Sequence, residues 1–299
     1  MPSARTAAHS VRIAARTRSA RINAIAVSAR RRVLSVVLAF AVIAGAGVFV
    51  TRRVMRKVVD ASSCHVVPVP NTASKGYDLD LSQAANATTI AAVGKRLGLP
   101  NHAVTIALAT ALLESRLHNL DYGDRDSLGL FQQRPSQGWG TPAQILSPRH
   151  AATAFFEQLA RVPGWQTLPV TVAAQRVQRS ALPNGYAQHE GEARALASAL
   201  TGEVPAGMAC RLSVPRTPPP APLASAVAAE LGSPSLAVPV SPARGWTVAL
   251  WLVGHSSEFR VTSVQFSGMR WTPSDAQWVA DASATSRVIV QTGAVGSAG

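Results

Sequence analysis

The stretch "ALATALLESRLHNLDYGDRDSLGLFQQ", Ala107–Gln133, decides how this chain reads. It opens as an apolar run and meets a single carboxylate, Glu114. It then crosses a polar loop carrying Asp121, Asp124 and Asp126, and ends in Gly-Leu-Phe-Gln-Gln. From Asn101 to Leu113 there is no Asp, Glu, Lys or Arg, so Glu114 is the one acid on its predicted helix. A carboxyl group at the end of an apolar helix is poorly solvated, and burial disfavours its charged form. A carboxylic acid still protonated near neutral pH is what glycoside cleavage needs, because the leaving oxygen must receive a proton. Taken alone, a Glu near a helix end is most simply a solvated surface group, so its surroundings have to carry the reading.

Those surroundings are helical. "LSQAANATTIAAVGKRLGLP" is Ala-rich and predicts a helix from Ser82 to near Gly98, ahead of Pro100. Asn101 is placed to cap the next helix, read from His102 to about His118. Further helices fit Thr141–Ile145, Pro148–Leu159, Thr171–Arg179 and Gly191–Leu200, with no strand signal between 85 and 205. The span 85–210 is therefore expected to be one compact helical domain, of ordinary size for a single core. Residues 51–84 read as an extended linker. "VPRTPPPAP" in 211–221 reads as a semi-rigid Pro-rich spacer. Beyond it, "LASAVAAEL" and "GWTVALWLVGHSSEF" look helical and "SLAVPV" extended. "VTSVQFS" alternates at period two, and with Trp271, Trp278 and "RVIVQTG" it predicts a small α+β domain at 222–299. Trp246, Trp251, Trp271 and Trp278 are expected to be mostly core. The fold class is thus mainly α, with a small α+β part at the C-terminal end.

The formal net charge is +14. A charge of that size spread over a folded face would suggest nucleic-acid binding. Here twelve Arg and Lys lie within residues 1–57, which hold no Asp or Glu, leaving +2 for the rest of the chain. Nucleic acid is not the expected partner. Between the basic clusters lies "VLSVVLAFAVIAGAGVFV", Val33–Val50, without a charge. At 1.5 Å per residue it just crosses a hydrocarbon core of about 30 Å. Ala44-Gly45-Ala46 leaves a cleaved signal peptide open, but the apolar run continues past it and favours an uncleaved anchor. Eight Arg precede the span and four basic residues follow it, which orients 1–32 as a cytoplasmic tail and the bulk of the chain outside. Two cysteines, Cys64 and Cys210, bracket the predicted helical domain and fit one disulfide in an oxidising compartment. Two free buried thiols are the alternative.

Glu114-Ser115, a loop, then Gly129-Leu130-Phe131-Gln132 resembles the lysozyme-like soluble lytic transglycosylase family, where a Glu-Ser pair ends a helix and Gly-Leu-Met-Gln follows. Phe131 stands for the usual Met and is expected to line a sugar cleft. "GDRDSLGLFQQRPSQGWGTPAQI" and "AAQRVQRSALPNGYAQHE" resemble an actinobacterial membrane-anchored cell-wall subgroup. The likeness covers about 85–200. It implies a lysozyme-like fold, a peptidoglycan glycan-strand substrate, no cofactor and Glu114 as general acid/base. The family's late Ala-Tyr-Asn-x-Gly motif is replaced by Ala173-Ala174-Gln175-Arg176, with Tyr186 further on, so Gln175 is the candidate for the missing Asn.

Ser115, Gln132, Gln133, Gln175 and Tyr186 are the candidate substrate-binding residues, since amides suit hydroxyl and acetamide groups and aromatics suit ring faces. Trp139 and Trp165 serve equally as cleft or core. Asp124 and Asp126 are candidates for the second carboxylate of a hydrolase, which would sit about 6.5–9.5 Å from the acid to activate water. A lytic transglycosylase needs none, because the muramic acid C6 hydroxyl attacks internally. Alternatively "DYGDRDS" is a turn whose acids cap amides and pair Arg125. His118, His150 and His189 lack metal-ligand spacing, and no metal is expected. Two other functions stay open: an inactive lysozyme-like module that binds glycan, and a structural membrane protein of the envelope. Protein partners cannot be read.

Overall fold

The structure, a computed structural model, describes residues 62–70, 76–180, 184–212, 222–232 and 239–293. The basic tail, the Val33–Val50 stretch and residues 213–221 of the Pro-rich spacer lie outside them. Among the described residues no helix is long and apolar enough to cross a membrane.

Two helices form the centre. α1, Leu81–Arg96, starts at a full capping box: Asp80 accepts from the Ser82 and Gln83 amides at 2.8 and 2.9 Å, and Gln83 Oε1 accepts from Asp80 N at 2.9 Å. α2, Asn101–Ser115, is buried without interruption from Ala103 to Leu112, as expected of a helix apolar on all sides. Asn101 does not cap it. Pro100 holds the cap position, and Asn101 Oδ1 accepts from Lys95 Nζ at 3.2 Å. Around this pair lie α3 (Pro142–Ile145), α4 (Pro148–Ala160), α5 (Val170–Gln178) and α6 (Glu190–Leu200). α4 packs on α1, while α5 and α6 pack on α2.

The stretch read as a linker is folded in part. β1 (Ser63–Val66) pairs antiparallel with β2 (Tyr77–Leu79) on one side and β3 (Met208–Arg211) on the other. These strands have three or four residues each, too few for a legible period, and β3 comes from far along the chain. Cys64 and Cys210 face each other in the register and form a buried disulfide.

The C-terminal part is α+β, as expected. α7 (Leu223–Leu231), α8 (Pro242–Gly254) and the short α9 (Ser256–Phe259) precede a four-stranded antiparallel sheet. Its order is β6 (Trp278–Ala280), β5 (Met269–Trp271), β4 (Val261–Phe266), β7 (Ile289–Thr292). Its apolar residues join the same hydrophobic core as the helices before it. α8 lies so close to α1 that a Cβ at Gly254 would stand 2.7 Å from Thr88 Oγ1. The indoles of Trp271 and Trp278 donate to the β3 carbonyls of Cys210 and Met208, at 3.1 and 2.9 Å. Trp246, Trp251 and Trp271 are buried. The expectation that these tryptophans are mostly core is met by this shared packing.

Candidate functional site around Glu114

The site begins where α2 stops. Its last helical residue is Ser115, three short of the predicted end, because Arg116 and Leu117 both turn left-handed, at φ 53° and 63°. Leu117 N donates to Ala111 O and Arg116 N to Leu112 O, each at 3.1 Å, closing the helix as a Schellman turn does. Left-handed backbone costs a residue with a Cβ about 1–2 kcal/mol. Two amides of α1 hold it in place: Gln83 Nε2 donates to Arg116 O at 2.9 Å, and buried Asn86 donates to Leu117 O at 2.7 Å. Glu114 therefore sits in a last turn whose geometry is fixed from outside.

Ser115 is buried too, and its hydroxyl donates to Leu130 O at 2.7 Å, with Ala111 O at 3.1 Å. It ties the helix end to the Gly129-Leu130-Phe131-Gln132-Gln133 segment. That segment is a tight reversal in which Leu128 and Gln133 exchange both backbone hydrogen bonds, at 2.9 and 3.0 Å. Gly129 has φ +75°, and a Cβ there would meet Ile145 O at 2.7 Å, so this position excludes any side chain. Phe131 does not line a cleft. It is fully buried and stacks on Phe155 with ring centroids 4.7 Å apart.

Glu114 is half-buried. Tyr186, fully buried in a 3-10 turn over Gly185–His189, donates its hydroxyl to Glu114 Oε1 at 2.9 Å. Gln178, at the end of α5, lies near the carboxyl and donates to Phe131 O at 2.7 Å. Burial raises the Glu114 pKa above its usual 4.5, and the Tyr186 hydroxyl and the nearby Gln178 amide lower it in part; burial prevails. Burial and the facing carboxylate hold Tyr186 firmly as the neutral phenol. The arrangement is a carboxyl that keeps its proton longer than an exposed one and is aimed by the Tyr186 hydroxyl.

The other predicted residues fall elsewhere. Gln132 Nε2 donates to the carbonyls of Tyr122 and Gly129, both at 3.3 Å, and a Cβ on Gly123 would collide with Gln132 Oε1 at 1.9 Å. Gln133 is buried and donates to Ala151 O at 3.2 Å. Gln175 donates to Ser180 O at 2.9 Å. All three amides are engaged with backbone. Asp124 is 92% exposed, with Arg125 Nε 3.9 Å away. Asp126 accepts from Arg134 Nε at 2.6 Å and from Ser136 N at 2.8 Å. Those two bonds hold its carboxyl far below the usual carboxylate range. Trp165 is core beside His102.

Gln178 is the residue that sequence reading missed. The motif comparison pointed to Gln175, whereas the amide near Glu114 lies one helical turn later on α5. The spacing was available, since residues three apart share a helix face. Gln178 also forms part of the wall of a cleft of about 510 Å³, together with Trp139, Gln158 and Arg161. Comparison with protein-family models and with curated proteins returns no match for this chain.

Proposed function

We propose that this chain is a membrane-anchored, extracytoplasmic enzyme that cleaves peptidoglycan glycan strands, as a lytic transglycosylase, with Glu114 as its general acid/base. The observation that carries the reading is the Glu114 carboxyl, held at a fixed helix end, its pKa raised by burial and its orientation set by Tyr186. The resemblance of Glu114-Ser115 and Gly129–Gln132 to the lytic transglycosylase family points the same way.

Glu114 gives its proton to the glycosidic oxygen as the bond from the anomeric carbon breaks. The resulting carboxylate then takes the proton of the muramic acid C6 hydroxyl, whose oxygen bonds to that carbon. The acid is restored and an anhydro sugar leaves, with no water consumed. Neither Asp considered as a second carboxylate favours a hydrolase. Asp126 is committed to Arg134 and Ser136, and Asp124 stands in solvent. A base pinned at so low a pKa is too weak to activate water well.

The test is mass spectrometry of fragments released from purified peptidoglycan by the detergent-solubilised full chain. Anhydro ends are expected. Reducing ends would reassign the chain as a hydrolase, and no release would reduce it to a glycan-binding module.

A further inference from the structure

The cleft whose wall includes Gln178 carries charge of one sign. Arg161, Arg176 and Arg179 line it, and no Asp or Glu does. Among the described residues none of the three guanidinium groups is in an ion pair with a carboxylate. Arg176 donates only to a neutral carbonyl, Pro163 O, at 3.4 Å.

These arginines cluster where two helices end. Arg161 is the C-terminal cap of α4, Arg179 that of α5, and Arg176 lies in the last turn of α5. Cations at helix C-termini are favourable in themselves, and that effect alone would account for one arginine per helix. The balance decides against it as the whole explanation. Two helix ends supply about −0.5 charge each, against three full positive charges, so the cleft keeps a surplus of about +2. A neutral glycan does nothing to relieve that surplus.

We infer that this cleft binds a carboxylate of the peptide stem carried by the glycan strand, so that the enzyme recognises peptide-bearing strands rather than bare ones. The assignment rests on the glycan-cleaving reading above. Planar guanidinium groups match carboxylate geometry in pairs, which an ammonium group would not. Trp139 offers an apolar surface in the same cleft for the body of a sugar or a side chain. Gln178 joins the two regions, because it forms part of the cleft wall and lies near enough to Glu114 to influence its ionisation. A stem seated on the arginines thereby fixes how the strand lies at the acid. The volume, about 510 Å³, suits one such substituent and not a folded partner.

The same chemistry would also accept a phosphate, so the experiment separates the two. Full-length Glu114→Gln chain in detergent is titrated calorimetrically with a tetrasaccharide muropeptide. A second titration uses the same glycan stripped of its peptides, and a third uses inorganic phosphate. The peptide-bearing form is expected to bind about tenfold more tightly than the stripped form. Replacing Arg161 and Arg179 together by Gln should bring the two within about twofold, with the folded state retained and thermal unfolding lowered only slightly, because both side chains are exposed. Equal affinities in the parent, or a preference that survives the double replacement, overturns the assignment and leaves the glycan reading standing. Phosphate binding without a peptide preference overturns it in favour of a phosphate site. Binding of neither glycan overturns the glycan reading and the assignment together.

Discussion

Glu114 and Asp126 bound the same loop, yet the fold treats them in opposite ways. Glu114 ends a buried helix, meets a neutral phenol donor and has its pKa raised by burial. Asp126 sits near the surface, meets a guanidinium and a backbone amide, and has its pKa driven down. Desolvation dominates at one end of the loop and hydrogen bonding at the other. Two carboxyl groups close in sequence are thereby sorted into a proton donor and a structural anion. Sequence alone offered both as catalytic candidates, and only their partners separate them.

The largest test of this division is activity. Glu114→Gln keeps the hydrogen bonding and removes the transferable proton, so peptidoglycan release should fall by about 10²–10⁴-fold. Asp126→Asn should change the rate per folded molecule by less than about tenfold, since it holds no catalytic proton. Equal losses in the two would break the distinction. The next effect concerns the turn that divides the regions. Asn86→Ala leaves the Leu117 carbonyl buried without its donor and should cost about 1–3 kcal/mol in denaturant unfolding. Activity should fall with it, because the Glu114 turn loosens; an unchanged midpoint would show that Asn86 is dispensable.

Smaller still is the effect of Tyr186→Phe. It deletes the hydrogen bond that favours the ionised acid, so the Glu114 pKa should rise further. The alkaline limb of the pH–rate profile should move to higher pH, and a shift downward would mean that Tyr186 favours the neutral acid.

The finest test is the pH dependence of stability, where the two acids carry opposite signs. The folded pKa of Glu114 is raised, so its ionisation opposes folding. Glu114→Gln should therefore add stability that is absent below pH 4.5 and grows as pH rises through the folded pKa. The folded pKa of Asp126 is depressed. Its contribution is present above the usual 3.8 and is lost as pH falls toward the folded value, so Asp126→Asn should destabilise at neutral pH and less so in acid. Thermal melts across pH 3–8 would read both, and curves moving the same way would refute the assignment.

Much of this was legible in the chain. An Ala-rich stretch announced α1, an apolar run announced α2, and period-two alternation announced β4. Glu114 stood out by its isolation, and Tyr186 was picked as a site residue although its role as the acid's hydrogen-bond partner was not foreseen. What escaped was whatever depended on distant partners. The end of α2 is set by left-handed Arg116 and Leu117, held from α1, with no glycine or proline to mark it. β1 and β3 are too short to show a period and exist because they pair. Phe131 was read by motif as a cleft residue, but its contact with Phe155 lies beyond local sequence.

The pairing of Cys64 with Cys210 has a mechanical consequence. The chain enters the helical part and leaves it side by side, covalently joined across adjacent strands. A pull applied before Cys64 and after Cys210 crosses that single bond, and the sequence between them carries no load. That sequence separation of 146 is hidden length, roughly 480 Å if fully drawn out, that stretching can recover only after reduction. Oxidised, the Glu114 turn is shielded from tension along the chain; reduced, it lies directly in the line of force.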